Sequence, residues 1–239
     1  MLTLEEYLRP DPNLRPPWPT PRLWTPPRPS RGLRRISLRS KGSARGGFAA
    51  NGAEIAYEAD LELDAALSML ADPDIDDVID QYPQVSYVDA SGVRHRFTFD
   101  FMSVHADGTR TAHSVKPEDK VASSRVEEVH RLLQRQMSPD VADFINLVTE
   151  EKLTAADRFN ARLIFAARRR PDPADDAAVA GLIEDLHGVT TLGALAKASG
   201  RKGHGFRAAV RAVADGRLRL VRHSRMLSKT PVQRRSSRG

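Results

Sequence analysis

The residues best placed to do chemistry flank one hairpin of the sequence: Asp100, inside Phe99-Asp100-Phe101, and the triplet Ser114-Val115-Lys116 beyond Asp107-Gly108. A carboxylate and a lysine on paired strands suit phosphodiester hydrolysis. Hard oxygen ligands hold Mg2+ (or Mn2+), which polarises the phosphate and acidifies a water. The ammonium adds positive charge where the transition state becomes more negative. An aspartate between two phenylalanines is costly in a half-buried strand unless it is paired or bound to metal. Ser114 and Lys116 are two apart and share a face. Whether Asp100 joins them depends on the loop. A two-residue loop at Asp107-Gly108 pairs 100 with 115 and turns Asp100 away. A three-residue loop over Ala106 to Gly108 pairs 100 with 114 and sets Asp100 beside Ser114, on the lysine's face. The chemistry requires the three-residue loop or a bulge.

The surrounding pattern supplies elements to carry these residues. The spacing of Leu63, Ala66, Leu67 and Leu70 predicts a helix beginning near Glu54 and ending at Asp72-Pro73, with Glu62 at the margin of its apolar stripe. Ile75 to Gln81 reads as a short turn leading to Pro83. Val85–Val88, a long strand from Val93 to Val104, and Arg110–Lys116 form a meander. Val126, Val129, Leu132 and Leu133 predict a helix over Ser123–Met137, followed by a strand at Phe144–Val148 and a helix at Ala155–Arg169. Beyond Pro171-Asp172-Pro173, helices at Ala177–Leu186, Thr191–Ala198 and Gly205–Ala214 precede Leu218–Val221, which Met226–Val232 can pair. Three helices and a terminal hairpin predict a winged helix. Arg201, Lys202, Arg207 and Arg211, just before and on its third helix, are the candidates to meet DNA.

Charge divides the chain the same way. Residues 1–47 carry 10 Lys/Arg against 3 Asp/Glu, residues 48–150 carry 8 against 20, and residues 151–239 carry 19 against 8. Basic ends suit a phosphate backbone and an acidic middle suits a divalent cation. The expected layout is a Pro/Arg-rich extended arm over 1–47, a catalytic domain over 48–170, a winged-helix domain over 171–232 and a basic tail over 233–239. In the arm, Trp18 and Trp24 are placed to anchor on a partner, stack on a base or cover the chain's own core. Cysteine is absent, which excludes disulfides, thiolate catalysis and cysteine-ligated zinc. His95, His105, His113 and His130 have no recognised zinc spacing. No apolar run of about 18 residues is present, and the N-terminus lacks the apolar stretch of a secretory signal. A cytoplasmic protein without a membrane partner is expected.

The predicted order of helix, three-strand meander, helix and strand is the common core of the PD-(D/E)xK nucleases, an α/β restriction-endonuclease-like fold. Ala59-Asp60-Leu61-Glu62-Leu63, Asp80-Gln81-Tyr82-Pro83, Phe99-Asp100-Phe101 and Val115-Lys116-Pro117 together resemble the N-terminal domain of TnsA-like endonucleases. The resemblance covers about residues 50–120, and more loosely the chain to about 150. It implies a helix glutamate at Glu62, a strand aspartate at Asp100 and the lysine at Lys116, with Mg2+ on Glu62, Asp100 and the residue at 114. Where the family has Gln or Glu, this chain has Ser114; where it has proline before the aspartate, this chain has Phe99. The resemblance further implies cleavage of the 5′ non-transferred strand at the ends of a mobile element, a DDE transposase subunit cutting the other strand, an ATPase regulator and a winged-helix C-terminal domain. Two other readings fit the same residues. One is a decayed nuclease core acting as a DNA-bound or protein-bound scaffold; the other is a site-specific nuclease acting alone.

Overall fold

Asp100 sits where the chain passes from one sheet to another, and the fold is simplest to follow from that crossing. The structure, a computed structural model, describes residues 26–36 and 44–235; Trp18, Trp24 and the last residues of the basic tail lie outside them. It is a mixed α/β protein. Its main sheet has four strands: β3 (Ile75–Asp80), β6 (Phe101–His105), β7 (Arg110–Val115) and β8 (Phe144–Val148). Their order is β3-β6-β7-β8, antiparallel except for the parallel β7–β8 pair. Two antiparallel hairpins stand beside it, β1 (Gly46–Ala50) with β2 (Ala53–Tyr57) and β4 (Gln84–Val88) with β5 (Arg94–Thr98).

Both faces of the main sheet are covered. Helix α1 (Asp60–Ala71) packs Leu61, Ala65, Ala66 and Met69 against Val78, Phe101, Val115 and Val148. Short α2 (Glu118–Ser124) leads into α3 (Val126–Gln136), whose Leu133 meets Phe99, Met102, Ala112 and Ala142 on the other face. Burying a Leu or Phe side chain contributes about 1.5–3 kcal/mol, so these faces hold the crossing rigidly. Helix α4 (Ala155–Arg168) lies on α1, where Arg162 pairs with Asp64 at 2.6 Å. Its Ile164 and Ala167 belong to a separate C-terminal core with Val179, Leu192, Leu195 and Val210. That core contains α5 (Pro173–Glu184), α6 (Leu192–Ala198) and α7 (Lys202–Ala214). A three-stranded antiparallel sheet closes it, in the order β10 (Leu218–Leu220), β11 (Pro231–Arg234), β9 (Val189–Thr191).

Several expected elements differ. The helix expected from Glu54 begins at Asp60, because Asn51-Gly52, both at positive φ (48° and 74°), make a tight hairpin turn that places Glu54 in β2. Ile75–Asp80 is a strand rather than a turn. Two of its three acids are paired: Arg31 with Asp77, and Ser30 Oγ with the Asp80 carboxylate. The single strand expected over Val93–Val104 breaks at Phe99-Asp100. Phe99 N–H donates to Pro83 O, in the β4–β5 region, and Asp100 N–H donates to His113 O, in the main sheet. The helix expected over Ser123–Met137 is interrupted at Arg125, which is left-handed (φ 54°). Among the described residues no helix is long and apolar enough to cross a membrane.

Candidate functional site

The loop after β6 has the three-residue form. His105 N–H donates to Thr109 O at 2.8 Å, leaving Ala106–Gly108 as the connection, and Phe101 pairs with His113 and Val104 with Arg110. That register carries 100 opposite 114. Asp100 itself leaves the ladder: its Oδ2 accepts the Val115 N–H at 2.7 Å, so its carboxylate is fixed at the end of β7, one residue before Lys116. Glu62 reaches the same place from the first turn of α1, where its Oε2 accepts the Glu58 N–H at 2.7 Å.

These groups act on one another electrostatically. Glu62 is 8% exposed, and its carboxyl is pushed up to about 7, first by burial and then by the Asp100 charge, with Lys116 opposing. Burial likewise holds Asp100 above the usual aspartate range, against the opposing pull of the Val115 N–H, Lys116 and Arg34. Two acids that raise their own proton affinity in this way form a site short of positive charge. Asp100, Glu62 and Lys116 therefore lie within electrostatic range of one another.

Ser114 is not brought to them. Its hydroxyl is fully buried and bonds His130 Nε2 at 2.8 Å beneath α3. Burial, with Lys152 adding to it, pushes His130 down to about 4, so this is a neutral hydrogen bond at pH 7. The ligand role expected of Ser114 is corrected here, because its oxygen is committed on the α3 side of the sheet. His113 is also engaged elsewhere, at 2.8 Å from Ser103 Oγ.

Sequence reasoning missed three neighbours of the acidic pair. Glu58 is bonded by Arg34 and Arg45. Gln81 is 1% exposed and left-handed (φ 47°), and donates its N–H to Asp100 O at 2.7 Å. Arg34 belongs to the arm. The only available signal was the motif Asp80-Gln81-Tyr82-Pro83 itself, since nothing local links Arg34 to Glu58 or Gln81.

Among the described residues no group of three or more His, Asp or Glu side chains is arranged to hold a metal ion. The donor set still fits Mg2+, which keeps several waters and takes one or two carboxylates. Glu62 and Asp100 each give one oxygen to a backbone N–H, and among the described residues neither Glu62 Oε1 nor Asp100 Oδ1 accepts a hydrogen bond.

The four cations expected to meet DNA divide. Lys202 and Arg207 are exposed on α7. Arg201 is exposed but bonded to buried Asp175 at 2.6 Å. Arg211 is buried, bonded to Asp176 at 2.6 Å and to Ala167 O at 2.9 Å, and cannot face a phosphate. Arg211→Ala is expected to destabilise the C-terminal core by about 3 kcal/mol, seen as a lower thermal midpoint, with no loss of DNA affinity in the folded protein. Unreported by periodicity, exposed Arg217, Arg219, Arg222, Arg225 and Lys229 surround the β10–β11 connection.

No protein-family model matches this chain, and no curated protein matches it.

Proposed function

We propose that this chain is a Mg2+-dependent DNA endonuclease subunit of the TnsA-like kind, cutting the 5′ non-transferred strand at the ends of a mobile element together with a DDE transposase and an ATPase regulator. The observation that carries the reading is the Asp100 carboxylate held by the Val115 N–H at the switch of sheets, with Glu62 and Lys116 in electrostatic range of it. The mixed sheet between α1 and α3 supports a restriction-endonuclease-like core. The order α5, β9, α6, α7, β10, β11 supports a winged helix, with Lys202, Arg207 and the cations of the β10–β11 connection offered to a phosphate backbone.

Mg2+ on Glu62 and Asp100 would polarise the scissile phosphodiester and acidify the attacking water. Glu62 would act as a ligand in its deprotonated form. Asp100 is oriented by the Val115 N–H, so little reorganisation is needed when charge develops. Lys116 would add positive charge as the phosphate becomes more negative. Incubation of supercoiled DNA with the protein and Mg2+ or Mn2+ is expected to produce nicks, and Lys116→Ala to suppress them while metal binding persists. Nicking that continues in a chelator, or at full rate in Lys116→Ala, would overturn the reading.

The Ser114–His130 bond favours a second reading. A nuclease core that has exchanged an acidic ligand for a buried serine serves as a scaffold, bound to DNA through its basic C-terminal module.

A further inference from the structure

Residues 26–36 are seated along the rim of the acidic cluster by specific contacts. Arg28 N–H donates to Gly52 O at 2.9 Å, and Arg28 O accepts from Glu54 N–H at 2.9 Å. Ser30 Oγ meets both Asp80 carboxylate oxygens, at 2.9 and 2.8 Å. Arg31 forks onto Asp77 with two bonds of 2.7 Å. Gly32 passes so close to the end of β3 that a Cβ there would meet Asp80 O at 2.9 Å. Leu33 N–H donates to Gln81 O at 3.1 Å. The next side chain, Arg34, thus arrives at the site with little freedom left to lose.

The Arg34 guanidinium is then fixed twice. Its Nε donates to Gln81 Oε1 at 2.8 Å, and a terminal nitrogen donates to the Glu58 carboxylate. Gln81 is itself tied by its N–H to Asp100 O, so the amide that orients the guanidinium moves with the candidate ligand. The charge of Arg34 lowers the proton affinity of Asp100, yet among the described residues no hydrogen bond joins it to Asp100 or Glu62. It stands beside the pair and does not fill it. Its side chain is 42% exposed, and its other terminal nitrogen makes no hydrogen bond among the described residues. A preoriented guanidinium with donors in one plane matches two oxygens of a phosphate.

We propose that Arg34 is a phosphate-binding residue of this site: the arm brings its guanidinium to a non-bridging oxygen of the phosphodiester held near Asp100, Glu62 and Lys116, with Gln81 as its positioning residue. The inference rests on the nuclease reading above and makes the arm part of the site. Because the scissile phosphate gains negative charge at the transition state, Arg34 contributes more there than to ground-state binding.

The test compares Arg34→Gln with Arg35→Gln, an exposed neighbour on the same arm, in the full chain. Binding of a short fluorescein-labelled DNA duplex is read by anisotropy in a chelator across a salt series. Mn2+ affinity is read by calorimetry, and cleavage in Mg2+ gives kcat and KM. Arg34→Gln is expected to lower the salt slope by about one, to reduce kcat on the order of 100-fold, and not to weaken Mn2+ binding. Arg35→Gln leaves kcat unchanged. Arg34→Lys restores the salt slope but only part of kcat, because the fork is missing. Duplex binding and kcat equal to those of Arg35→Gln would overturn the proposal. Tighter Mn2+ binding with faster cleavage would also overturn it, making Arg34 a competitor of the metal. If the wild type neither binds Mn2+ nor cleaves, the nuclease reading falls by itself. The metal-free duplex measurement then still decides: a loss confined to Arg34→Gln retains the phosphate contact, and an equal response of the two variants removes it.

Discussion

Under the proposed function, Asp100→Asn is expected to abolish metal-dependent cleavage, with kcat reduced on the order of 1,000-fold or more, since several kcal/mol of charge stabilisation would depend on the cation it is proposed to hold. Asparagine is the informative replacement. Its carboxamide oxygen can still accept the Val115 N–H now bonded to Asp100 Oδ2, so the end of β7 keeps its partner while the charge disappears. Asp100→Ala loses the metal too, but leaves the Val115 N–H without its acceptor, a loss that costs about 1–3 kcal/mol when the group is buried. The pair of variants separates chemistry from structure. Asparagine leaves the thermal midpoint at or above the wild-type value, because a desolvated charge has been removed. Full cleavage by Asp100→Asn would remove this residue from the site.

Glu62→Gln is expected to stabilise the metal-free protein at pH 8 and to change it little near pH 4. With its carboxyl pushed up to about 7 in the fold, against an ordinary value of 4.5, Glu62 stays protonated in the native state while the unfolded chain has already lost that proton. Between these two pH values the native state binds more protons, so stability falls as pH rises, by about 3 kcal/mol in all, and this contribution is level above pH 7. Glutamine keeps an oxygen for the Glu58 N–H and has no proton to lose, so its denaturation curve lacks that slope. Saturating Mn2+ should reverse the wild-type trend, because the cation binds the deprotonated form, and apparent affinity rises about tenfold per pH unit up to about 7. An unaltered slope in Glu62→Gln would show that another group carries the pH dependence.

Much of the scaffold was legible from periodicity. Val126 and Leu133 are buried as the spacing requires, Phe144–Val148 is β8 with those bounds, and the three C-terminal helices lie close to where the pattern put them, while the strand returning to β10 is Pro231–Arg234 and not Met226–Val232. The choice of loop at Asp107-Gly108 could be framed from the sequence because register has only two outcomes for a side chain, toward or away. Other features depend on contacts that no local pattern carries. The alternation from Val93 to Val104 continues unbroken through Phe99-Asp100, yet the two halves pair with different partners, Pro83 O and His113 O. Ile75–Asp80, read as a turn, is a strand whose Asp77 and Asp80 are answered by Arg31 and Ser30, far earlier in the chain. The same separation hid Arg34, whose partners are Glu58 and Gln81. Arg211 shows the opposite error: a cation on the helix expected to read DNA is spent on Asp176 and Ala167 O inside the core. At Ser114 the sequence showed the departure from the TnsA-like pattern that it resembles, while its physical form, a bond to His130, required the structure.

The most direct test of the account is calorimetric titration of Mn2+ into the wild type and into Asp100→Asn at pH 8, where Glu62 is deprotonated. The account predicts a saturable binding event in the wild type that disappears in the variant. Binding of equal strength in both proteins, or in neither even with duplex DNA present, would contradict a metal site at Asp100 and Glu62.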